Sequence, residues 1–265
     1  MILPAPVYSD FVLPTLRNWR KAGRKTALLT LISTTGQSPR PVGSQLAVCD
    51  TGEACGLITG GCAEGTLVLD ALGENRVELY GEGSRFKDIT LPCGSGLKVF
   101  FDVGVSDAEI ERIIASRDAR QPAAMAISAP GEPGYTRHYL PPCRLVVVGQ
   151  GPIVEALAQM APPLEIELDI WSPDAALAVR LHGRHLTSPE DFDAAFDRYC
   201  GVVTVFHDHS YEPLVLLKAL QSEVFFIGAL GSRKAHSRRL DVLQDMGASP
   251  EALRRIHGPV GLDIA

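Results

Sequence analysis

Read as a string of apolar and polar positions, the chain changes texture once. Up to about Ser106, short β-rich runs alternate with glycine turns: TALLTLIS (26–33), SQLAVCD (44–50), ACGLIT (54–59) and LKVFFDV (97–103), separated by TGQSPRPVG, DTGE and PCGSG. Runs rich in β-branched and aromatic residues, bounded by Gly, Pro and Asp, predict strands joined by tight turns. Two helical patterns interrupt them. Val12, Leu13, Leu16 and Trp19 share one face near the N-terminus, and Leu67, Val68, Leu69 and Leu72 follow the glycines at 60 and 61, predicting a helix over 62–73. DAEIERIIASRD (107–118) predicts a further helix and PAAMAIS a strand, and the proline- and glycine-rich segment 128–143 closes this first texture.

From Arg144 the pattern is strand, helix, strand. RLVVVG (144–149) precedes helical IVEALAQM, and EIELDIW (165–171) precedes PDAALAVRLH. GVVTVFH (201–207) leads into YEPLVLLKALQ, and VFFIGAL (224–230) into SRKAHSRRLDVLQDMG. Four β/α units predict a parallel sheet covered by helices on both faces. Ser172, Ser188 and Ser249 each stand before a proline and predict helix N-caps, with Asp191 completing a capping pattern for Ser188. The expected fold is α/β: a mixed α+β domain over 1–142, then a Rossmann-like doubly wound parallel-sheet domain over 143–265.

Charge and cysteine content narrow the classes of function. With 25 Lys+Arg against 31 Asp+Glu, the net charge of −6 lacks the broad basic field of a sequence-independent nucleic-acid binder. No apolar run approaches the ~20 residues that span a bilayer, and the N-terminal MILPAPVYSD has no basic region of a signal peptide. The expectation is a cytoplasmic protein with neither nucleic acid nor membrane as partner. Six cysteines with no C-x-x-C pair suit neither a disulfide scaffold nor a thioredoxin-like centre. Cys49 and Cys200 sit in apolar surroundings and are expected to pack as interior residues.

Three regions could carry chemistry. Gly149-Gln150-Gly151 lies where an apolar strand meets a helix, the place where backbone N–H groups and a helix dipole meet a pyrophosphate. The acid that a nicotinamide site needs about 20 residues on is missing, for Ser172 occupies the strand end, so NAD(P) is disfavoured. In Thr59-Gly60-Gly61-Cys62-Ala63-Glu64, two glycines can turn N–H groups toward one anion, a nearby helix start lowers the thiol pKa, and Glu64 can cap that helix or meet a ligand. A tight turn around a buried thiol fits the same residues, and both readings stay open. The flanking loop 35–44 offers Ser38, Arg40 and the turn glycine Gly43 to a phosphate, while Cys93-Gly94 offers a second thiol. Cys62 with Cys93 makes a soft pair for a thiophilic metal or for sulfur. At the late strand ends lie His207-Asp208 and the run Gly231-Ser232-Arg233, where Ser232 can cap a helix and Arg233 can face an anion.

Taken together these segments resemble the XdhC/CoxI family, accessory proteins of molybdenum hydroxylases such as xanthine dehydrogenase. The likeness rests on Gly36–Ser44 (GQSPRPVGS), Gly56–Glu64 (GLITGGCAE) and Cys93-Gly94, then Val148–Gly151, Val205–Asp208, Gly228–Lys234 and Gly258–Ile264. These run in order along nearly the whole chain. The resemblance implies a non-enzymatic chaperone that binds molybdenum cofactor, as molybdopterin or its dinucleotide form. It implies that the cofactor is held during sulfuration and inserted into an apo molybdenum hydroxylase. A cysteine desulfurase and a second copy of the chain, in a homodimer, are the further partners implied. Carried onto this sequence, the pterin phosphate would meet Ser38, Arg40, Gly60 and Gly61, with Cys62 or Cys93 near the molybdenum. The chain is too short, and too poor in clustered cysteines for iron–sulfur centres, to be such a hydroxylase itself.

Overall fold

Side chains of the N-terminal half sort onto the two faces of one antiparallel sheet. The computed structural model describes residues 9–61, 64–84, 96–206 and 210–261, and divides into two compact units, Met1–Pro141 and Pro142–Ala265. In the first unit, β1 (Thr26–Thr35), β2 (Gln45–Cys49), β3 (Ala54–Gly56), β4 (Arg76–Gly81) and β5 (Gly96–Asp102) pair in the order β3-β2-β1-β5-β4. Successive strand residues point to opposite faces. Leu29, Leu31, Leu46, Val48, Val99 and Phe101 therefore form one layer, closed by Leu67 of α2 (Glu64–Leu69), while Leu28, Ala47 and Phe100 face the other way. That second face is covered by α1 (Leu13–Lys21), α3 (Asp107–Asp118) and the hairpin of β6 (Ala123–Ile127) with β7 (Tyr135–Tyr139). Burial on both faces explains why β1 reads as a continuous apolar run.

Register decides which loops meet. Thr35 pairs with Gly96, Gly81 pairs with the same Gly96, and Leu46 pairs with Gly56. Loop 36–44 and turn 57–61 thus leave the sheet at the end where β5 begins. The expected strand over 54–59 stops at Gly56, where a Cβ would overlap the Gln45 carbonyl, and the chain turns away. Of the helix expected over 62–73, the described part is Glu64–Leu69, with residues 62–63 outside the described set.

In the second unit, β8 (Arg144–Gly149), α4 (Pro152–Met160), β9 (Glu167–Ser172), α5 (Ala175–Arg180), β10 (Arg184–His185), β11 (Cys200–Val205), α6 (Glu212–Leu220), β12 (Phe226–Ala229), α7 (Arg233–Asp245), α8 (Pro250–Leu253) and β13 (Ile256–His257) follow in turn. The strands are all parallel, in the order β10-β9-β8-β11-β12-β13, which is the doubly wound Rossmann arrangement. Val154 and Leu177 bring α4 and α5 onto one face; Val215, Leu243 and Leu253 bring α6, α7 and α8 onto the other. Strand order reverses between β8 and β11, where folds of this class open a crevice.

One expected cap is displaced. Ser172 is the last residue of β9 and fully buried, and the N-cap of α5 is Asp174, whose carboxylate accepts from Ala176 N (2.9 Å) and Leu177 N (3.1 Å). Ser249 does cap α8, and Ser188 opens a single 3-10 turn with Asp191. Among the described residues no helix is long and apolar enough to cross a membrane.

Candidate functional site

At the loop end of the first sheet, Ser38 and Arg40 organise each other. The Ser38 hydroxyl donates to the Arg40 carbonyl (2.8 Å) and accepts from the Arg40 N–H (3.3 Å), while the Arg40 guanidinium pairs with Asp10. Gly43 donates to the Leu31 carbonyl (2.7 Å), and any side chain there would overlap the Tyr135 hydroxyl, so Gly43 serves packing. Pro39 lies against the glycine turn: a Cβ on Gly60 would sit 3.3 Å from its Cγ. Among the described residues, none comes within 4 Å of the Cβ position of Gly61. The structure thus brings Ser38–Arg40 and Gly60–Gly61 together.

Three backbone donors of that turn, those of Ile58, Thr59 and Gly61, are already engaged. Glu64 Oε1 accepts from Ile58 N (3.1 Å) and Thr59 N (2.6 Å); its Oε2 accepts from Gly61 N (2.9 Å) and from the Thr59 hydroxyl. Burial pushes the Glu64 carboxyl upward, but the Thr59 hydroxyl and the backbone N–H groups outweigh it and hold it below the ordinary range. Glu64 therefore reaches back to the turn. Left-handed φ values of +78° and +102° at Gly60 and Gly61 give the backbone the shape that aims these groups inward.

Cys62, Cys93, Gly94, His207 and Asp208 lie outside the described residues. Of the other thiols, Cys49 and Cys200 are buried, Cys55 is half-buried and Cys143 exposed. The Cys49 sulfur is not in purely apolar company, since it lies 3.0 Å from the Thr51 hydroxyl. Among the described residues no group of three or more His, Cys, Asp or Glu is placed to hold a metal ion.

At the Rossmann crevice the two glycines differ in role. A Cβ on Gly149 would overlap the Val205 carbonyl of the neighbouring strand, whereas among the described residues nothing lies within 4 Å of the Cβ position of Gly151, at φ +90°. Pro152 has no N–H to offer, and the Val154 N–H donates to the Gly151 carbonyl (3.1 Å), which thins the donor set of the α4 start. The last residue of β9 is a serine, and the nearest carboxylate beyond it, that of Asp174, caps α5. Ser172 Oγ accepts from Asp174 N (3.1 Å), and one oxygen of the Asp174 carboxylate, Oδ1, takes both cap hydrogen bonds. After β12, Ser232 caps α7 by accepting from Ala235 N (3.1 Å); Gly231 and Arg233 beside it are exposed.

Sequence reasoning missed the charged pair behind this loop. Arg239 Nε lies 2.9 Å from Glu212 Oε2, and both side chains are only 1% exposed. Glu212 also accepts from the Thr204 hydroxyl (2.7 Å), and Arg239 donates to the Leu230 carbonyl (2.6 Å). His236 Nδ1 stands 3.1 Å from the same guanidinium, and a Cβ on Gly258 would overlap its ring. One network ties the β11 end, the α6 start and the loop after β12. Its sequence signal is slight: Glu212 is one acid opening a mostly apolar helix.

Comparison with known proteins follows the same division. The model of the XdhC and CoxI family matches residues 19–80, and that of the XdhC Rossmann domain matches 145–265. The molybdenum cofactor insertion chaperone PaoD of Escherichia coli (strain K12) is 28% identical over 261 residues, covering 91% of this chain and 78% of that protein. The uncharacterized protein YqeB of the same organism is 24% identical over 254 residues, covering 90% of this chain and 40% of its own length. A Bacillus halodurans crystal structure described as a xanthine dehydrogenase shares the fold, with a TM-score of 0.77 at 20% identity over 97% of this chain and 90% of that one. With one family model on each unit, and more than half of the sequence matched between them, the chain belongs to the XdhC and CoxI family.

Proposed function

We propose that this protein binds molybdenum cofactor as cargo, holds it during sulfuration and delivers it to an apo molybdenum hydroxylase of the xanthine dehydrogenase type, without turnover of its own. The carrying observation is the meeting of loop 36–44 with the glycine turn, seen in Pro39 against Gly60. A guanidinium suits a phosphate because it offers paired donors, and Arg40 can trade Asp10 for the pterin phosphate without losing an ionic partner. Cys62 and Cys93 supply soft sulfur for molybdenum or for the transferred sulfur. In the second unit, taken by itself, Gly151, Gly231, Ser232 and Arg233, with His207 and Asp208, are the residues we assign to a nucleotide. Likeness to PaoD along most of the chain supports cofactor handling. A client hydroxylase, a cysteine desulfurase and a second copy of the chain are the proposed partners, in the cytoplasm.

The test is purification from cells that make the cofactor, followed by molybdenum analysis and pterin fluorescence. Both signals are expected to co-elute with the protein. Steady NAD-linked oxidation of hypoxanthine by pure protein devoid of pterin would overturn the proposal.

A further inference from the structure

We infer that Glu64 is the resident counter-ion of the glycine turn: its carboxylate closes the donors of Ile58, Thr59 and Gly61 onto this chain, and leaves the anionic end of the cargo to loop 36–44. The identity of the cargo rests on the cofactor-binding reading; the role of Glu64 rests on geometry. Three backbone N–H groups and one hydroxyl converge on two oxygens. An ionised carboxylate has about four acceptor sites, so this one is close to saturated. Backbone nests of this shape ordinarily attract a free anion. Here the anion is tethered, and a short tether gives an effective concentration in the millimolar range or above. A free phosphate would have to displace it and then sit beside a like charge. At the neighbouring loop the Arg40 guanidinium likewise carries an acidic partner, Asp10, but a phosphate that replaces it pairs directly with the guanidinium. Pro39 packs on Gly60, so closure of the turn also fixes the surface beneath Ser38 and Arg40. Glu64 acts through the turn, as a positioning residue.

The test uses the full chain and backbone amide exchange followed by NMR. In wild-type protein the amides of Ile58, Thr59 and Gly61 are expected to be protected and unmoved by inorganic phosphate. In Glu64→Ala their exchange should quicken about tenfold or more, the effect of losing a charge-assisted bond at each. Formate should slow them again by filling the emptied receptor, which a merely structural role would not produce. Glu64→Gln, neutral and of the same size, should exchange faster than wild type and ignore formate. Wild-type amides that shift or slow with phosphate would overturn the inference, as would Glu64→Ala amides that exchange at the wild-type rate or ignore formate. Should Glu64→Ala not fold, the wild-type phosphate titration and Glu64→Gln decide the matter. Protein that never carries molybdenum would sink the cofactor reading and leave the exchange result standing. A phosphate-responsive turn in molybdenum-bearing protein would sink the Glu64 assignment alone.

Discussion

Gly149 and Gly151 look interchangeable in a glycine-rich turn, yet their surroundings assign them different work. Gly149 has no room for a side chain because a β-strand carbonyl, that of Val205, occupies the space. Backbone in the centre of a sheet cannot yield, so Gly149→Ala should cost about 3 kcal/mol, at the upper end for overpacking. Gly151 needs glycine for its backbone alone, at φ +90° and ψ −172°, and Gly151→Ala should cost about 1–3 kcal/mol. Urea unfolding of the two variants checks the order; a larger loss at Gly151 would show that the crevice side is the crowded one. Glu64 carries the same lesson for the first unit. Gly-Gly beside an acid is visible in the sequence as an anion-binding pattern, but a linear pattern does not say whether the anion is foreign or the chain's own.

At the scale of elements, Glu212 and Arg239 hold α6 to α7 and both to the loop after β12. Taking one partner from a buried pair leaves a charge without compensation, so Glu212→Ala should cost about 3–5 kcal/mol. The double replacement Glu212→Leu with Arg239→Met should recover much of that, since it removes both charges together. Denaturant titration of the three proteins tests this, and a double variant as unstable as the single one would count against it. His236 adds a pH dependence. Burial first, and the Arg239 guanidinium second, lower its pKa from 6.5, while Glu212 pulls weakly the other way. Below about pH 6.5 the unfolded chain takes up a proton that the folded chain refuses until its own lower pKa. Stability is therefore expected to be complete above that range and to decline as pH falls through the folded value. His236→Gln should flatten the slope, as pH-dependent urea midpoints would report. Much at this scale is legible in the sequence: the β/α alternation and the helix α3 follow from periodicity. The misses have physical causes. β10 and β13 are two residues long, too short for any period. β7 follows a run of Pro and Gly that reads as a linker but forms the connection of a hairpin. Ser172 resembles a cap because Ser-Pro does so elsewhere in this chain, whereas β9 runs one residue further, through Ser172, and the role passes to Asp174.

For the whole molecule the question is whether a Rossmann sheet implies a Rossmann ligand. Fold and function are separable, because the ligand is chosen by side chains at the crevice and not by strand order. Strand order here is that of the dinucleotide enzymes, but the second strand ends in a buried serine, and the next carboxylate lies two residues on, where one of its oxygens caps a helix. A ribose held by a carboxylate gains two charge-assisted hydrogen bonds, each worth about 1.5–3 kcal/mol, so their absence lowers affinity at least about tenfold per bond. Free NAD should accordingly bind more weakly than micromolar. Supplying the acid should not repair this. Ser172 is fully buried and its hydroxyl accepts the Asp174 N–H, so Ser172→Asp would place a charge inside the protein and not in a crevice. The variant should lose stability, by about 2 kcal/mol or more, and gain no NAD affinity. Calorimetry with NAD on both proteins, beside their unfolding curves, is the measurement. Micromolar binding by wild-type protein would mean that another group holds the ribose, and tight binding by Ser172→Asp would mean that the strand end opens to ligand.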